Sequence, residues 1–573
     1  MKHSNKLRDI LSRLGDLLLS PSLWLWLFPV LILMPNIGLS ITEYNSLWAK
    51  LTNIFLPLGI YYFLISLSKK VGRTMLYFFP VMFFGAFQIV LLFLYGESII
   101  AIDMYTNVLT TSFSEATELL DNLKVAIIVV LLLYLPAIIS GIAMVVKRRY
   151  ASPSSLHVVR RTSYGLIVIG ILLFAISELA VTGFNPRREM FPYNVIENLG
   201  TAIKRTNESM HYHTTSETFS YRPVATRDKE EKEVFVFVIG ETSRAGNWEL
   251  FGYDRQTNPR LSKRSNLIRF GKAVTEINTT HKAVPMLLSY LTPEIFGDSV
   301  AHTKSVFSAF NALGYRTAFI SNQRRNHSYI DFYGGEAQKC EFLTDNGGPQ
   351  EDMNLIPAMK EILENSSNNK LFIVLHTYGS HFEYKKRYPA GMAHFTPDNN
   401  SAASVSNRRD LINAYDNTIR YTDSLLDSVI ATLDSLNVSS SMVYVSDHGE
   451  DIFDDARERF LHSSPTPTFY QIHVPMLIWM SDEFIDRHPG MYRNALSNSA
   501  KNISSTRSVF HTLLELAGIR SSYFDSSNSV VSRQYSESPR KYLNDYNESV
   551  PLSESGLRDL DFEVFKKSGI NFK

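Results

Sequence analysis

Asp447 and His448 stand side by side in the run SMVYVSDHGED, directly after an apolar stretch of strand length. A carboxylate and an imidazole at a strand exit can reach one divalent cation, and that mixture of oxygen and nitrogen donors suits zinc or manganese better than calcium. Glu241 occupies the same kind of place: residues 234–239 are an apolar, β-branched and aromatic run that stops on Gly240-Glu241-Thr242. In an open α/β sheet the site forms where strands end at their carboxyl termini. Tetrahedral zinc needs a fourth ligand, and Thr280 in TEINTTHKAVPM is the candidate. A hydroxyl bound to a divalent cation loses its proton far more easily and becomes a nucleophile near neutral pH. By itself the pair Thr279-Thr280 reads equally as a polar cap ahead of the apolar segment 283–291.

Three histidines join these candidates. His376 and His381 lie in LFIVLHTYGSHFEYKKRYP, past another apolar run, and His462 lies in RFLHSSP. An imidazole can hold a phosphate oxygen as a cation or protonate a leaving group. Each one alone is more often structural, but three beside strands in one region favour a functional reading.

The elements that must position these residues alternate after Glu233. Strands are predicted at 234–239, 316–320, 371–375, 442–445 and 475–480, and helices at 304–313, 355–364, 410–436 and 505–517. That alternation predicts an α/β domain with a doubly wound sheet covered on both faces. The tail from Ser521 is Ser-rich and polar, expected to wrap the domain or to be partly disordered.

The first third is of another kind. Stretches 22–41, 51–68, 74–96, 125–146 and 163–183 are each apolar enough to span a bilayer, which takes about 20 residues. Lys and Arg gather before the first span, between the second and third, and between the fourth and fifth, which makes those segments cytoplasmic. The loop 97–123 has five acidic residues and no Lys or Arg, so it and everything after the fifth span face outward. Residues 190–205 read as an amphipathic helix on the outer leaflet and 211–232 as a polar linker. The expected organisation is multi-domain: a five-helix transmembrane domain at 1–184, an interfacial helix and linker at 185–232, and an extracytoplasmic catalytic domain at 233–573.

At 573 residues the chain can hold several domains, and a net charge of +1 makes no case for nucleic acid. Its one cysteine, Cys340, excludes an intrachain disulfide and a cysteine-based zinc finger.

GETSRAGNWELFGYDRQTNP, THKAVP, HTYGSHFEYKKRYP, SDHGED, FLH and QIHVPM, in this order after five spans, resemble the membrane-anchored phosphoethanolamine transferases that modify lipid A and lipopolysaccharide core, the polymyxin-resistance enzymes among them. The resemblance implies an alkaline-phosphatase-like (sulfatase-like) catalytic domain in the periplasm, on a multi-pass anchor in the bacterial inner membrane. It implies transfer of phosphoethanolamine from phosphatidylethanolamine to a lipopolysaccharide acceptor through a phosphothreonine, releasing diacylglycerol. The zinc ligands fall on Glu241, Thr280, Asp447 and His448, with Thr280 as nucleophile, His381 and His462 at the phosphate, and His376 as a further site residue. Asn322 and Gln323 resemble a polar pair facing the substrate. His327 stands near a lysine of the lipid A enzymes, and Asn107 and Glu115 of the outer loop fall where the ethanolamine head group is met. Where many lipid A enzymes pair cysteines around the nucleophile, this chain has Glu276 and Met286, so core-sugar acceptors fit as well as lipid A. Phosphatidylethanolamine, lipopolysaccharide and inner-membrane lipids are the expected partners of a monomer. The alternative is a phosphoglycerol transferase using phosphatidylglycerol. A sulfatase activity is disfavoured, because the only cysteine lacks the following Pro-x-Arg.

Overall fold

The computed structural model describes residues 15–42, 46–95, 101–110, 124–180, 184–227, 232–346, 350–366, 369–399 and 402–573. They fall into two compact units, one within Met1–Tyr105 and Thr117–Ala202, the other within Thr106–Ala116 and Ile203–Lys573.

In the first unit four helices are long and apolar enough to cross a membrane: Pro21–Thr42, Leu47–Ile65, Val125–Val146 and Pro153–Leu179. A fifth crossing exists if Val71–Tyr77 and Phe79–Leu92, which meet at 53°, form one span. The bend has a covalent cause: Pro80 lacks an N–H, and its ring clashes with the carbonyl one turn earlier. The last helix runs Pro153–Ala180, starting ten residues before the apolar stretch read from sequence. Its basic first turns are held, Arg160 donating from Nη2 to the Ser66 carbonyl at 2.6 Å. Gly170 lets that helix approach the helix Leu47–Ile65, since a Cβ there would meet Leu56 Cβ at 2.7 Å.

The amphipathic segment forms the helix Tyr193–Met210, a little C-terminal to its expected place. Tyr193, Ile196, Ile203 and Met210 are exposed along it.

The second unit is built on a seven-stranded sheet: β1 (Glu233–Gly240), β2 (Leu267–Arg269), β3 (Arg316–Ser321), β4 (Lys339–Phe342), β5 (Lys370–His376), β6 (Ser439–Ser446) and β7 (Met476–Met480), in the order β2-β7-β6-β1-β5-β3-β4. β6, β1, β5, β3 and β4 are parallel. Every residue of β1, β5 and β6 is buried, which is why they read as continuous apolar runs. β2 and β4 escaped the sequence reading because three or four residues of mixed polarity carry no period.

The sheet is mixed, because β7 runs antiparallel to β6 and to β2. The connection from β6 to β7 holds two short paired strands and the four-residue helix Phe469–Ile472, with no crossover helix long enough to carry the chain back. The chain therefore re-enters the sheet from the end at which it left.

Five helices matter for the site: α1 (Thr280–Leu287), α2 (Val306–Ala312), α3 (Leu355–Asn365), α4 (Arg408–Asp434) and α5 (Ser505–Leu516). Phe235, Phe237 and Ile239 of β1 share one cluster with Phe310 of α2, Phe372 of β5 and Phe510 of α5. α3 and α4 lie outside that cluster and pack on β3, β5 and β6 from the other face. The tail is ordered: its strands Lys541–Leu543 and Ser549–Pro551 pair, and its helix Asp559–Lys567 docks through Phe565 on Phe469.

The Phe372 ring is fully buried and stacks on Phe310 with centroids 4.0 Å apart. Phe372→Ala should cost about 3–5 kcal/mol, transfer and cavity terms together. Thermal unfolding of the detergent-solubilised chain checks it; an unchanged melting temperature would show that the cluster collapses around the hole.

Candidate metal centre and nucleophile

The register of the parallel strands brings the first two ligands together. Gly240 pairs with Ser446, so the next residues, Glu241 and Asp447, leave adjacent strand ends side by side. Two backbone bonds secure the exit: Asp447 N–H donates to the Gly240 carbonyl at 3.1 Å, and Thr242 N–H donates to Asp447 Oδ1 at 3.1 Å. A third element delivers Thr280, the first residue of α1. Thr279 is the N-cap residue, but its hydroxyl makes no capping bond.

Thr280 Oγ lies 3.3 Å from both Glu241 carboxylate oxygens and 3.0 Å from His448 Nε2. His448 Nδ1 donates to the Gly449 carbonyl at 2.9 Å, which leaves Nε2 with its lone pair inward. Nε2 is 3.3 Å from Asp447 Oδ2 and 3.7 Å from Glu241 Oε1. Asp447 Oδ2 is buried and, among the described residues, accepts no hydrogen bond. Thr242 and Gln323 donate to Glu241, and the Thr242 and His448 N–H groups to Asp447 Oδ1, which leaves Asp447 Oδ2 and His448 Nε2 to compete for the Thr280 proton.

Burial, then the charge of Asp447, pushes the Glu241 carboxyl up to about 7. Burial pushes Asp447 up to about 7 as well, and burial with the neighbouring His462 takes His448 down to about 4. Such a set of crowded, desolvated acceptors fits a divalent cation, and the orphaned Asp447 oxygen is the observation that shows it.

His462 comes closer than a phosphate contact requires. Glu241, His448 and His462 offer ligand atoms all within 4.8 Å of one another, and the His448 and His462 rings are 4.2 Å apart. His381 lies beyond, 5.9 Å from His462 by ring centroids, its Nδ1 donating to the Phe382 carbonyl at 2.7 Å.

Residues 233–519, just over half of the chain, match the family model described as Sulfatase. The chain belongs to the sulfatase family.

Among relatives of this sulfatase-family chain, the phosphoethanolamine transferase EptA of Escherichia coli K12 is 30% identical over 323 residues, covering 54% of this chain and 58% of that one. The C-terminal periplasmic domain of EcEptC from Escherichia coli, solved in complex with zinc, is 26% identical with a TM-score of 0.52, covering 59% of this chain and 99% of that domain. The integral membrane lipooligosaccharide phosphoethanolamine transferase A of Neisseria meningitidis matches at a TM-score of 0.67 and 20% identity, over 87% of this chain and 98% of that one, which shows a shared fold of apolar N-terminal helices and α/β domain. The chain spans about half the length of the curated relatives it matches.

The structure gives four further candidates of this sulfatase-family chain different surroundings. His376 ends β5 inside the sheet, paired with Ile239 and Ser321; its ring packs on Phe319, its Nδ1 meets Ser321 Oγ at 3.1 Å, and burial takes it down to about 3. It is a core residue, because the strand runs one position further than its apolar run. Asn322, expected to face the substrate, is buried and donates to Asp352 Oδ1 at 2.7 Å; the same oxygen accepts the Tyr378 N–H at 2.7 Å, so Asp352 ties the exits of β3 and β5. Gln323 turns to the ligands, its Nε2 donating to Glu241 Oε2 and to the Thr377 carbonyl, both at 2.9 Å. His327 is exposed in a left-handed conformation, its N–H bound to Asp331 Oδ2 at 2.7 Å. Asn107 is in the helix Ile102–Thr110 with its side chain outside what is described, and Glu115 lies outside the described residues.

Glu450 is the residue the sequence reading missed. It is buried, pushed up to about 7 by that burial, receives the Tyr384 hydroxyl, and holds His462 Nδ1 at 2.8 Å. Its signal lies in the sequence two places after His448, within the same SDHGED run.

Two outcomes test the centre. Zinc at a hundredfold its Kd should stabilise the chelator-stripped chain by about 2.7 kcal/mol, and Asp447→Ala should abolish the gain in a thermal-shift titration. Gln323→Leu, which deprives Glu241 of a donor, should weaken zinc roughly 10–100-fold; equal affinity would show that Glu241 needs no such support.

Proposed function

We propose that the chain transfers phosphoethanolamine from phosphatidylethanolamine to a lipopolysaccharide acceptor, lipid A or core sugar, through a phosphothreonine at Thr280, releasing diacylglycerol. The observation that carries this reading is a threonine oxygen within 3.3 Å of both oxygens of a buried carboxylate and 3.0 Å from an imidazole nitrogen. The phosphoethanolamine transferases among its relatives, one of them solved with zinc, favour this group over other esters.

Glu241, Thr280, Asp447 and His448 would hold the zinc, with His462 beside them. Bound there, zinc lowers the pKa of the threonine hydroxyl and neutralises charge on the phosphoryl oxygens. The hydroxyl lies within hydrogen-bonding distance of Glu241 and of His448 Nε2, and one of these two takes its proton as the bond to phosphorus forms. As Thr280 Oγ forms its bond to phosphorus, the bond to the diacylglycerol oxygen breaks in line. That oxygen takes a proton from His381 or His462. In the second half the acceptor oxygen attacks the phosphothreonine, the Thr280 bond breaks, the threonine recovers its proton from the group that took it, and a hydroxyl acceptor gives its proton to the histidine that protonated diacylglycerol. Thr280 opens α1, so the partial positive charge of a helix amino end faces the developing phosphoryl charge.

A lipid donor explains the apolar helices, which keep the chain at the bilayer that confines its substrate. We place the protein in the bacterial inner membrane as a multi-pass chain with residues 233–573 in the periplasm, a reading supported by the distribution of Lys and Arg. The expected working form is a monomer.

Head-group-labelled lipids supplied to membranes containing the chain and lipopolysaccharide should give labelled glycolipid and diacylglycerol. Thr280→Ala should lower the yield at least about 10⁴-fold, since the covalent route disappears. Label arriving from phosphatidylglycerol instead would replace the donor; full transfer by Thr280→Ala would remove the intermediate.

A further inference from the structure

Gln471 touches neither Thr280 nor the four ligands, yet three site-bearing segments converge on its side chain. Its Oε1 accepts from Asn278 Nδ2 at 2.7 Å, two residues before the nucleophile. Its Nε2 donates to Asp451 Oδ2 at 2.8 Å, four residues after Asp447, and to the Leu461 carbonyl at 3.3 Å, next to His462. Ser464 Oγ lies 3.1 Å from Nε2 and 3.3 Å from Oε1. Its backbone serves the same place: Gly449 N–H, beside His448, donates to the Gln471 carbonyl at 2.7 Å.

The ring closes through the other members. Asn278 Nδ2 also donates to the Ser464 carbonyl at 2.9 Å, and Ser463 N–H donates to the Asn278 carbonyl at 3.2 Å. Asp451 Oδ1 takes the Thr468 hydroxyl at 2.7 Å. Gln471, Asn278, Asp451 and Ser464 are all buried, none more than 3% exposed. An amide is suited to this position because one end must accept and the other donate; at such burial a mismatched end is left unsatisfied.

We propose that Gln471 is a positioning residue for the transfer reaction, setting Thr280 against His462 and the Asp447–His448 pair through Asn278, Leu461 and Asp451. This rests on the phosphotransfer reading above. In-line displacement depends on nucleophile and acid being held within a fraction of an ångström, and an error of about 1 Å costs roughly 10²-fold. Segments 278–280, 447–451 and 461–464 are joined only along the backbone, since a chain with one cysteine has no internal disulfide. The Gln471 amide supplies the common reference point.

The direction of the hydrogen bonds makes the inference testable. Gln471→Glu keeps the acceptor for Asn278 but sets a carboxylate against Asp451. Asp451→Asn offers a donor to a donor. Combined, the two substitutions restore the Gln471–Asp451 bond in the reverse direction and keep the acceptor for Asn278, while the Leu461 carbonyl stays without its donor. The assay is diacylglycerol release from phosphatidylethanolamine by the full detergent-solubilised chain, with zinc content and melting temperature measured alongside. Each single variant should lose roughly 10–100-fold in kcat, with KM for the lipid and bound zinc unchanged, and the double variant should regain most of it. Single variants with unaltered kcat overturn the proposal. So does a double variant that recovers melting temperature but not kcat, since the network would then be only a fold element. A wild-type chain that releases no diacylglycerol fails the phosphotransfer reading instead, before any variant is compared.

Discussion

Acceptors without enough protons are the constraint on which the second unit turns. Glu241, Asp447 and His448 gather around Thr280 Oγ, all buried or nearly so, and one carboxylate oxygen finds no donor among the described residues. Desolvation penalises such charges unless something positive shares the space. No lysine or arginine donates to that oxygen among the described residues, so the arrangement suits a small divalent cation, and a hydroxyl held beside one is a nucleophile.

The surrounding structure can be understood as what holds mutually repelling groups in place. Parallel pairing of β1 with β6 fixes the spacing of Glu241 and Asp447. Gln323 and Thr242 each donate to Glu241, and Glu450 bridges Tyr384 and His462. Farther out, Arg244 joins the β1 exit to the loop after β6 by bonding Asp454 at 2.6 Å while lying over the rings of Tyr415 and Tyr470.

Without disulfides the segment that leads to Thr280 needs another anchor. Glu276 provides it: Thr506 donates to Oε2 at 3.0 Å and Arg507 to Oε1 at 3.2 Å, and the Glu276 carbonyl receives Leu543 N–H from the tail at 2.8 Å. Burial raises the Glu276 carboxyl despite the nearby guanidinium. α5 and the tail thus do by charge and hydrogen bonding what a covalent staple would do in a cysteine-containing relative. The ordered tail follows from this, since a Ser-rich composition does not prevent packing when Phe565, Tyr542 and Leu543 supply apolar anchors.

Much of the fold was legible in the residues. The parallel strands β1, β3, β5 and β6 announced themselves because burial on both faces demands uninterrupted apolar runs, and the long helices because one buried stripe imposes a period of 3.6. Apolar stretches of bilayer length marked the membrane-type helices, though Pro80 broke one of them in a way length alone does not reveal. Glu241, Thr280, Asp447 and His448 stood out by type and by their places at the ends of runs. What chain order could not decide was which face or neighbour each polar group met. His376 and His381 are five residues apart in one loop-like stretch, yet one lies in the core and the other by His462. Asn322 and Gln323 are adjacent and turn to different partners. Those outcomes depend on strand register and on packing between segments hundreds of residues apart, where a shift of one residue reverses a side chain's direction. Local composition carries no record of that, so the identity of the reactive groups belonged to the sequence and their geometry to the tertiary structure.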